Sequence, residues 1–341
     1  MTGSDRPRDL SAISGAPERV VYFNGQFVPE TEARLSIYDS ALMFGDMVFE
    51  MTRSFNGVQF KLREHLDRLY ASIKMVRIPI EMSVDEMDKV VCDTIQANRE
   101  CFAEDDEHRV MIDVSRGLLS IYTGMVGVAP GPNVIIAVFP LRWTVAGMGE
   151  LFDIGINAVI PAQRAIPAEL LDPKIKNRSR LHYLMANIQV SNYEGRNNWA
   201  LLLDPDGFVA EGTGDNVFIV CRGEIVTPEP RNILRGISRA YVLEELGPQL
   251  GIAVAERNID RYDVVTADEA FMTGTPFSIL PVTALDGQAI GNGRPGPVTQ
   301  ALIERWGRNV GVDIPGQIKA WDASRADAAE GPSPYAFRAK R

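Results

Sequence analysis

Apolar residues recur along the chain with two different periods, and the period indicates the element. A spacing of three or four residues at Leu62, Leu66, Leu69, Ile73 and Val76 predicts an amphipathic helix. Short apolar runs bounded by Gly, Pro, Asn or Asp predict strands instead. The predicted strands are Val20–Phe23, Val48–Ser54, Val58–Lys61, Val110–Ser115, Val134–Pro140, Asp153–Ile160, Ala200–Leu203, Val209–Glu211, Val217–Val220 and Glu224–Val226.

Turn and cap residues separate these elements. Asn24-Gly25 and Asn56-Gly57 each lie between β-prone runs, and this dipeptide favours a two-residue hairpin turn. Ser83 and Glu86 form a capping box, which predicts a helix that begins there and runs to about residue 100. Pro248 should kink or end early the helix in which it lies, because proline lacks the backbone N–H. The later predicted helices are Arg180–Asn192, Ser238–Leu250 and Pro297–Asn309.

The grouping of these elements predicts an α/β protein of two domains, since 341 residues suffice for two domains of ordinary size. The first third contains strands, two helices and then strands, as in a compact α+β unit. Residues 142–150 show no clear period, which predicts a linker. The predicted division is 1–18 flexible lead-in, 19–141 small α+β domain, 142–150 interdomain linker, 151–318 large domain and 319–341 flexible tail.

Composition and charge narrow the class of protein. The chain has 45% hydrophobic and 23% charged residues, as globular proteins do. The net charge of −10 argues against a nucleic-acid-binding role, which needs an excess of Lys and Arg. The apolar run Val134–Leu141 is too short to span a membrane, and the polar N-terminus lacks a signal-peptide core. With three scattered cysteines, we expect a cytoplasmic protein with reduced thiols and no metal site.

One familiar motif is present but weak, and a metal-ligand spacing is absent. Gly291, Gly293 and Gly296 match the dinucleotide-binding spacing, but too little chain follows for the second half of that fold. We expect a tight turn there that leads into the helix at Pro297. The histidines show no paired-ligand spacing, so surface or packing roles are favoured over metal binding for His65, His108 and His182.

Four other segments carry candidate chemistry. Lys174 and Lys176 precede a helix, and a lysine whose pKa is lowered can form a Schiff base, although such lysines are more often solvated. The Gly-rich turn Glu211–Asn216 lets a ligand approach a carboxylate closely. Arg235–Ser238 opens a helix, where backbone N–H groups bind anions or a serine simply caps the helix. Phe271–Thr275 ends a strand with hydroxyl residues suited to phosphate or carboxylate.

The order of motifs along residues 20–310 is more informative than any one motif. The motifs are Phe23–Gln26, Phe44–Glu50, Arg63–Leu69, Lys176-Asn177, Glu211–Asn216, Gly236–Ser238, Thr273–Thr275 and Asp286–Thr299. In this order they make the chain resemble the class IV aminotransferases. These are pyridoxal-phosphate enzymes of the branched-chain and D-amino acid aminotransferase type.

The resemblance implies a large domain with a barrel-like sheet and a cofactor between the two domains. Lys176, rather than Lys174, resembles the lysine that holds pyridoxal 5'-phosphate as a Schiff base, because the family motif places it directly before Asn177. Glu211 resembles the carboxylate that pairs with the pyridine nitrogen. The remaining cofactor contacts implied by the resemblance are Arg68, Leu234, Ile237, Ser238 and Thr275.

Substrate contacts in this family come from the small domain, the linker and the partner subunit. Phe44 and Phe49 fall in such segments and suit an apolar side chain, or else belong to the small-domain core. Arg53 falls there as well. Arg116 and Arg142 suit a substrate carboxylate, with surface ion pairs as the equal alternative.

The resemblance implies amino transfer between a branched-chain-like amino acid or an amine donor and a 2-oxo acid. Leu181 stands where some members have tyrosine, and Val114–Gly117 is closer to D-amino acid and (R)-amine transaminases. Those activities are therefore alternatives, as are an aminodeoxychorismate lyase-like enzyme, a cofactor-free binding protein and a nicotinamide dehydrogenase. We also expect a homodimer in which a loop near Glu104–His108 closes the partner's site.

Overall fold

The computed structural model describes residues 18–122, 124, 130–195 and 197–324. A six-stranded sheet forms the N-terminal part, in the order β2-β1-β6-β5-β3-β4, and all of its pairs are antiparallel. Both Asn-Gly hairpins are confirmed, because β1 pairs with β2 and β3 with β4. The strands are β1 Val20–Phe23, β2 Gln26–Pro29, β3 Met47–Phe55, β4 Val58–Gln59, β5 His108–Ser115 and β6 Asn133–Pro140.

Two helices pack on this sheet. The amphipathic pattern is confirmed by α2, Leu62–Val76, which buries Leu66, Leu69 and Ile73. The capping box at Ser83 is confirmed as the start of α3, Val84–Ala97, which ends three residues before the predicted position. A one-turn helix α1, Ser40–Phe44, precedes β3. Short 3-10 helices lie at Glu30–Glu32, Arg99–Cys101, Ser120–Tyr122 and Leu141–Trp143.

A nine-stranded mixed sheet forms the second part. Its order is β12-β11-β10-β13-β14-β7-β8-β9, and β15 pairs with β14. The sheet curls, since the Gly212 N–H at the end of β9 bonds the Asp215 carbonyl just before β10 at 2.9 Å. The α/β fold with a barrel-like second sheet is therefore confirmed. The strands are β7 Ile156–Val159, β8 Asn198–Leu203, β9 Val209–Gly212, β10 Asn216–Cys221, β11 Glu224–Thr227, β12 Val254–Glu256, β13 Glu269–Gly274, β14 Ser278–Leu285 and β15 Gln288–Ala289.

Helices of the second part pack against the nine-stranded sheet and share its apolar core. Trp306 of α9 and Trp321 of α10 are buried in the larger apolar core. Glu269 accepts hydrogen bonds from the N–H groups of Val298 and Thr299, so the three-glycine segment is a turn that leads into α9. The helices are α4 Leu151–Ile154, α5 Leu181–Val190, α6 Ile237–Tyr241, α7 Gly247–Gln249, α8 Arg261–Val265, α9 Pro297–Val310 and α10 Ile314–Ala323, with a π-helix at Val242–Leu246.

Two predicted boundaries were wrong, the start of the strand at Asp153 and the start of the tail at residue 319. Asp153 lies in α4 and not in a strand, because Gly155 turns the chain with φ 74° before β7 begins. The helix predicted over 238–250 is confirmed as one continuous helical segment over residues 237–249, with a π-helical turn at Val242–Leu246 between α6 and α7. Pro248 lies in its last turn, and the helix ends just after it, as predicted.

The tail predicted from residue 319 begins too early. Residues 319–323 belong to α10, and Asp322 accepts hydrogen bonds of 2.7 Å from the N–H groups of Gly147 and Gly149. These bonds fix α10 on the predicted linker. The predicted flexible segments 1–17 and 325–341 lie outside the described residues.

Candidate active site

A cleft lies between the first sheet and the curled second sheet. Its solvent-connected space is about 850 Å³. Strand β3 and helix α2 contribute Phe49 and Arg68 from one side, and the ends of β9 and β13 contribute Glu211 and Thr273 from the other. Lys176 lies in the segment between these two walls. The predicted lysine, carboxylate and anion-binding segments therefore meet in one place.

Backbone pairing with β3 holds the Lys176 segment in position. The Phe49 N–H bonds the Lys176 carbonyl at 2.9 Å, and the Arg178 N–H bonds the Met47 carbonyl at 2.9 Å. The Arg178 guanidinium bonds both oxygens of buried Asp113 at 2.7 and 3.1 Å. Asn177 thus forms an isolated antiparallel bridge with Val48 of β3, and Lys176 directly precedes it.

The Lys176 amine faces the cleft in a setting that disfavours its charged form. Its Nζ lies 4.8 Å from the centroid of the Phe49 ring. Burial, with the positive charge of Arg68 as the next cause, lowers the pKa of Lys176 to about 7. A large share of this amine is therefore uncharged at neutral pH and available as a nucleophile or base. By contrast, Lys174 pairs with Asp172 at 2.8 Å and points away to the Arg231 carbonyl.

Glu211 is buried in the opposite wall, with 4% of its surface exposed. Its carboxylate accepts hydrogen bonds from the Tyr183 hydroxyl at 2.7 Å, the Leu234 N–H at 2.9 Å and the Asn216 amide at 3.2 Å. Burial raises the pKa of Glu211 against the lowering effect of these donors. The predicted contact Leu234 thus lines the cleft and also fixes the carboxylate.

The far end of the cleft presents hydrogen-bond donors. Ile237 and Ser238 begin α6 and line the cleft, and the N-cap Gly236 leaves the first-turn N–H groups without a side-chain cap. Thr275 lines the same end. The Thr273 hydroxyl there is buried and has no partner among the described residues. Together these groups provide N–H and O–H donors suited to a phosphate.

Arg68 closes this end from the first sheet. It donates to both oxygens of buried Glu50 at 2.6 and 2.8 Å, and to the Arg235 carbonyl at 2.8 Å. His65 also contacts Glu50, at 2.8 Å. Burial raises the pKa of Glu50, but Arg68 and His65 outweigh it and hold the pKa well below its usual range. This ion pair positions the Arg68 guanidinium beside the start of α6.

A second cavity opens from the first at Lys176, with a solvent-connected space of about 960 Å³. We call the two the first and second cavities. The two cavities share Phe49, Lys176, Arg180, Gly214, Asp215 and Thr275. The second cavity is otherwise mainly apolar, but it also contains charged and polar side chains. Its further lining residues include Met51, Arg109, Thr144, Met148, Asn187, Trp199 and Phe277.

Among the predicted substrate contacts, Phe49 lines both cavities. The other four lie outside both cavities as far as the described residues show. Phe44 is 66% exposed beside the cleft, where the Ser179 hydroxyl bonds its carbonyl at 3.1 Å. Arg116 pairs with Asp46, at 2.5 Å, and does not reach the cleft.

The remaining two arginines are held by structural partners. Buried Arg53 donates to the carbonyls of Ser54 and Pro276, at 3.0 Å each, and so supports the cavity wall from behind. Arg142 pairs with Asp105 at 2.7 Å and with Asp106. The substrate roles of these two stay predictions, and the ion-pair alternative for Arg142 is the arrangement that the structure shows.

The structure adds four residues that the sequence motifs did not indicate: Tyr183, Arg180, Arg109 and Asp215. Tyr183, two residues after the exposed Leu181, donates to Glu211, and its position on the inner side of α5 is the clue. Arg180 lies 5.1 Å from the Tyr183 ring and bonds the Thr213 carbonyl. Burial raises the pKa of Asp215 to about 8. Only the alternation along β5 could have indicated Arg109, as an inward-facing position.

Two absences complete the description. No group of three or more His, Cys, Asp or Glu side chains among the described residues is arranged to hold a metal ion. In the same part of the chain, no helix combines the length and apolar character needed to cross a membrane.

A two-sheet α/β fold that brings a lysine amine, a buried carboxylate and a set of N–H and O–H donors into one cleft is typical of an enzyme. Comparison with known proteins identifies the family. The family model for amino-transferase class IV matches residues 47–285. The chain therefore belongs to the class IV aminotransferases and is a transaminase.

Several curated proteins are similar over most of their length. The branched-chain-amino-acid aminotransferase of Escherichia coli K12 is 33% identical over 294 residues, covering 83% of this chain and 90% of its own. A Methanocaldococcus jannaschii protein, provisionally named as a branched-chain-amino-acid aminotransferase, is 38% identical over 293 residues, covering 84% and 94%.

Solved structures agree with this assignment. The crystal structure of the E. coli branched-chain amino acid aminotransferase matches with a TM-score of 0.76 at 30% identity, covering 85% of this chain and 94% of that one. The branched-chain amino acid aminotransferase of Thermobaculum terrenum, solved in its PLP form, matches with a TM-score of 0.73 at 27% identity, covering 90% and 97%.

Proposed function

We propose that this transaminase works with pyridoxal 5'-phosphate (PLP) bound in the first cavity, with Lys176 as its catalytic residue. The observation that carries the proposal is the Lys176 amine, whose pKa is lowered to about 7, in one cleft with the buried Glu211 carboxylate. The Thermobaculum terrenum relative supports the choice of cofactor, since its structure was solved in the PLP form.

The residues of the first cavity fit such a group. Ile237, Ser238 and Thr275 would hold the phosphate through N–H and O–H donors, and Arg68 adds positive charge beside them. The buried Thr273 hydroxyl, which has no partner within the described chain, lies at this end. Glu211 and Leu234 would hold the ring. When bound, pyridoxal phosphate supplies an electron sink for the carbanion formed at the substrate Cα.

Each residue then has a defined task. The free Lys176 amine would take the proton from the substrate Cα and give it back later in the amino transfer. Its lowered pKa suits this exchange near neutral pH. The Glu211 carboxylate would pair with the ring nitrogen, and the Tyr183 hydroxyl holds that carboxylate in place. The Phe49 ring lies against the Lys176 amine and would limit its movement.

Borohydride reduction of the purified protein tests the cofactor site. We expect a yellow protein whose visible band disappears on reduction, and a phosphopyridoxyl group on the peptide that contains Lys176. Mass spectrometry of the digest identifies the modified lysine. A label on Lys174 would contradict the assignment of Lys176, and a colourless protein that takes up no added pyridoxal phosphate would contradict the cofactor.

For the substrate we propose a branched-chain L-amino acid as donor and a 2-oxo acid as acceptor. The names of the relatives support this choice, as do the apolar walls of the second cavity, Met51, Met148, Trp199 and Phe277. Adding L-leucine to the holoenzyme should bleach the visible band. Persistence of the band with L-leucine, but bleaching by D-alanine or (R)-1-phenylethylamine, would favour the second candidate activity.

One observation favours that second candidate, a D-amino acid or (R)-amine transaminase. Leu181 occupies the position where some family members have a tyrosine, and it is 69% exposed, so it offers no hydroxyl to the cleft. Tyr183 instead bonds Glu211. The two activities are separated by the handedness of the donor that bleaches the band.

We propose that the enzyme is a homodimer whose contact includes the mouth of the cleft. Large apolar side chains are exposed there, with Ile37 at 74%, Leu42 at 64% and Phe44 at 66%. Such a patch is typical of a protein interface. The predicted closure by residues 104–108 of the partner belongs to the same proposal. Sedimentation of the purified protein, and of a Leu42→Glu variant, tests it: we expect a dimer that the variant disrupts.

A further inference from the structure

Arg180 is a positively charged side chain at the place where the two cavities meet. It lines both of them. Its guanidinium carbon lies 5.5 Å from the centroid of the Phe49 ring and 5.1 Å from that of the Tyr183 ring. Nη2 donates to the Thr213 carbonyl, and the side chain makes no other hydrogen bond or ion pair within the described residues. Most of its N–H donors are therefore free to bind a ligand.

The charge of Arg180 affects the titratable groups around it. Burial and Arg68 are the main causes of the lowered pKa of Lys176, and the charge of Arg180 adds to them. Burial raises the pKa of Glu211 and of Asp215, and Arg180 opposes this effect at both. The guanidinium thus lies within electrostatic reach of the lysine amine and of two carboxyl groups, yet it pairs directly with none of them.

The other polar side chains that follow the lysine already have contacts of their own. The Asn177 amide bonds the backbone of its own loop at both of its ends. Arg178 is held by the ion pair described above, and the Ser179 hydroxyl donates to two carbonyls at the end of α1. The His182 ring packs on the ring of the next residue, and burial lowers the pKa of His182, which leaves it uncharged at neutral pH. Arg180 is therefore the residue here that offers free N–H donors together with a positive charge.

The covalent structure of pyridoxal phosphate relates its polar groups to these residues. Its phenolic oxygen and its phosphate arm lie on the two ring carbons that flank the aldehyde-bearing carbon. With Lys176 at the aldehyde carbon and the start of α6 at the phosphate, the phenolic oxygen would lie on the side of the lysine away from α6. Arg180 belongs to that side, because it lines the second cavity, which no α6 residue lines.

We infer that Arg180 binds the phenolic oxygen of pyridoxal phosphate and holds it in the anionic form. A guanidinium that donates to an anionic oxygen makes a charge-assisted hydrogen bond, which is stronger than a bond between neutral groups. The neighbouring Leu181 is apolar and 69% exposed, so it supplies no competing donor. This inference rests on the proposed function, because it requires the cofactor in the first cavity.

Cofactor binding to the cofactor-free protein tests the inference without turnover. The two probes are pyridoxal 5'-phosphate and 3-deoxypyridoxal 5'-phosphate, which lacks only the phenolic oxygen. Replacing Arg180 should weaken the binding of pyridoxal phosphate far more than that of the deoxy analogue. The ratio of the two dissociation constants should therefore shrink about 10- to 100-fold in Arg180→Gln, as expected for one charged hydrogen bond. A ratio within about twofold of wild type overturns the inference.

Two further variants control the experiment. Arg257→Gln removes an exposed arginine that pairs with Glu224 on the second sheet, and its ratio should match the wild type. Arg180→Lys keeps the charge but not the planar fork, and its ratio should lie between those of the wild type and Arg180→Gln. If Arg180→Gln does not fold, a reduced ratio in Arg180→Lys still supports the inference, and an unchanged ratio in Arg180→Lys then overturns it.

The visible band of the holoenzyme gives a second readout. A cation beside the phenolic oxygen disfavours a proton on the neighbouring Schiff-base nitrogen, because both positive charges act on the same oxygen. In Arg180→Gln, the pH at which the band changes should therefore rise by about one unit or more. An unchanged titration in a variant that retains the cofactor would contradict a contact with this oxygen.

The binding data also separate this inference from the proposed function and from a substrate role. A wild type that takes up neither probe contradicts the proposed function, and the inference falls with it. Uptake of pyridoxal phosphate with the same ratio in wild type and Arg180→Gln overturns the inference alone. If that ratio is unchanged but the holoenzyme of the variant loses affinity for 4-methylvalerate, Arg180 binds substrate instead, and the inference is overturned as well.

Discussion

The two cavities that meet at Lys176 differ in how their polar groups are satisfied. In the first cavity Glu211 has three donors and Arg68 has Glu50 and the Arg235 carbonyl, while one Asp215 oxygen and the Thr273 hydroxyl lack a partner among the described residues. In the second cavity Arg109 and Asn187 keep unused donors, as far as the described residues show. The first arrangement suits a resident group that must be held still.

The second arrangement suits a molecule that arrives and leaves. Donors that stay unbonded in the free enzyme lose no internal bond when a substrate carboxylate binds. The protein is less stable for this reason, because the charge of Arg109 is buried without compensation. The difference between the cavities therefore supports the proposal that the first holds the cofactor and the second exchanges substrates.

The largest expected effect on activity comes from replacing Lys176, which lines both cavities. Lys176→Ala should lower kcat more than about 1,000-fold, because it removes the group that moves the proton. Steady-state kinetics with L-leucine and 2-oxoglutarate measure the loss. The matched control is Lys174→Ala, two residues away on a surface ion pair, which should stay within about twofold of wild type. Equal losses in both variants would contradict the distinction between the lysines.

The acidity of Lys176 can be measured in the cofactor-free protein. Its modification by trinitrobenzenesulfonate should rise as pH increases through about 7, because the reagent attacks the uncharged amine and burial lowers the pKa to that value. Lys61, whose pKa is raised by its hydrogen bond to Glu245, should react only above the usual lysine range. Peptide mass spectrometry at each pH gives both curves. Coinciding curves would show that the cleft does not depress the pKa.

Two buried arginines allow a hydrogen-bonded charge to be compared with one that lacks partners, through the stability of the protein when each is replaced. Arg53→Met should lower the free energy of unfolding by about 3 kcal/mol, because it removes charged hydrogen bonds to two backbone carbonyls. Arg109→Met should change it by less than about 1 kcal/mol, or raise it, since few bonds are lost. Urea unfolding of the cofactor-free protein measures both. An Arg109→Met loss as large as that of Arg53→Met would show that Arg109 is a structural residue.

A smaller effect is expected at the wall of the first cavity. Tyr183→Phe removes one of the three donors to Glu211 and should lower kcat about fivefold, which corresponds to one ordinary hydrogen bond. Stopped-flow bleaching with L-leucine isolates the first half-reaction. Tyr193→Phe is the matched control, since Tyr193 is 47% exposed and lies beyond the end of α5. A decrease shared by both variants would remove Tyr183 from the site.

The sequence predicted those parts of the fold that depend on local patterns. The spacing along α2, the capping box at Ser83 and the Asn-Gly turns are short-range features, and each was confirmed. The errors lie where distant contacts decide. Residues 319–323 have little helical pattern of their own, and α10 is held by Asp322 bonding the backbone at 147 and 149.

The candidate site divides in the same way. Motif order placed Lys176, Glu211 and the α6 segment, and the structure brings them together in one cleft. The arginines were less predictable, because a guanidinium reaches far and its partner decides its role. Arg116 finds Asp46, while Arg109 finds no carboxylate within the described chain. Arg109 lies on β5 and Arg116 directly follows that strand. No local sequence pattern indicates that their partners differ.

The pairing of residues 176–178 with β3 has a consequence for how such an enzyme can evolve. Two main-chain bonds to β3 hold this segment, one at the Lys176 carbonyl and one at the Arg178 N–H. The Arg178–Asp113 ion pair also holds the residues that follow the lysine. The loop that precedes the lysine lines one wall of the first cavity through Ile166, Leu171 and Pro173, which lie outside this pairing. Changes at these three positions can therefore reshape the proposed cofactor cavity while the main-chain bonds of the lysine segment remain. The fit of the cofactor and the position of the reactive amine can thus change separately.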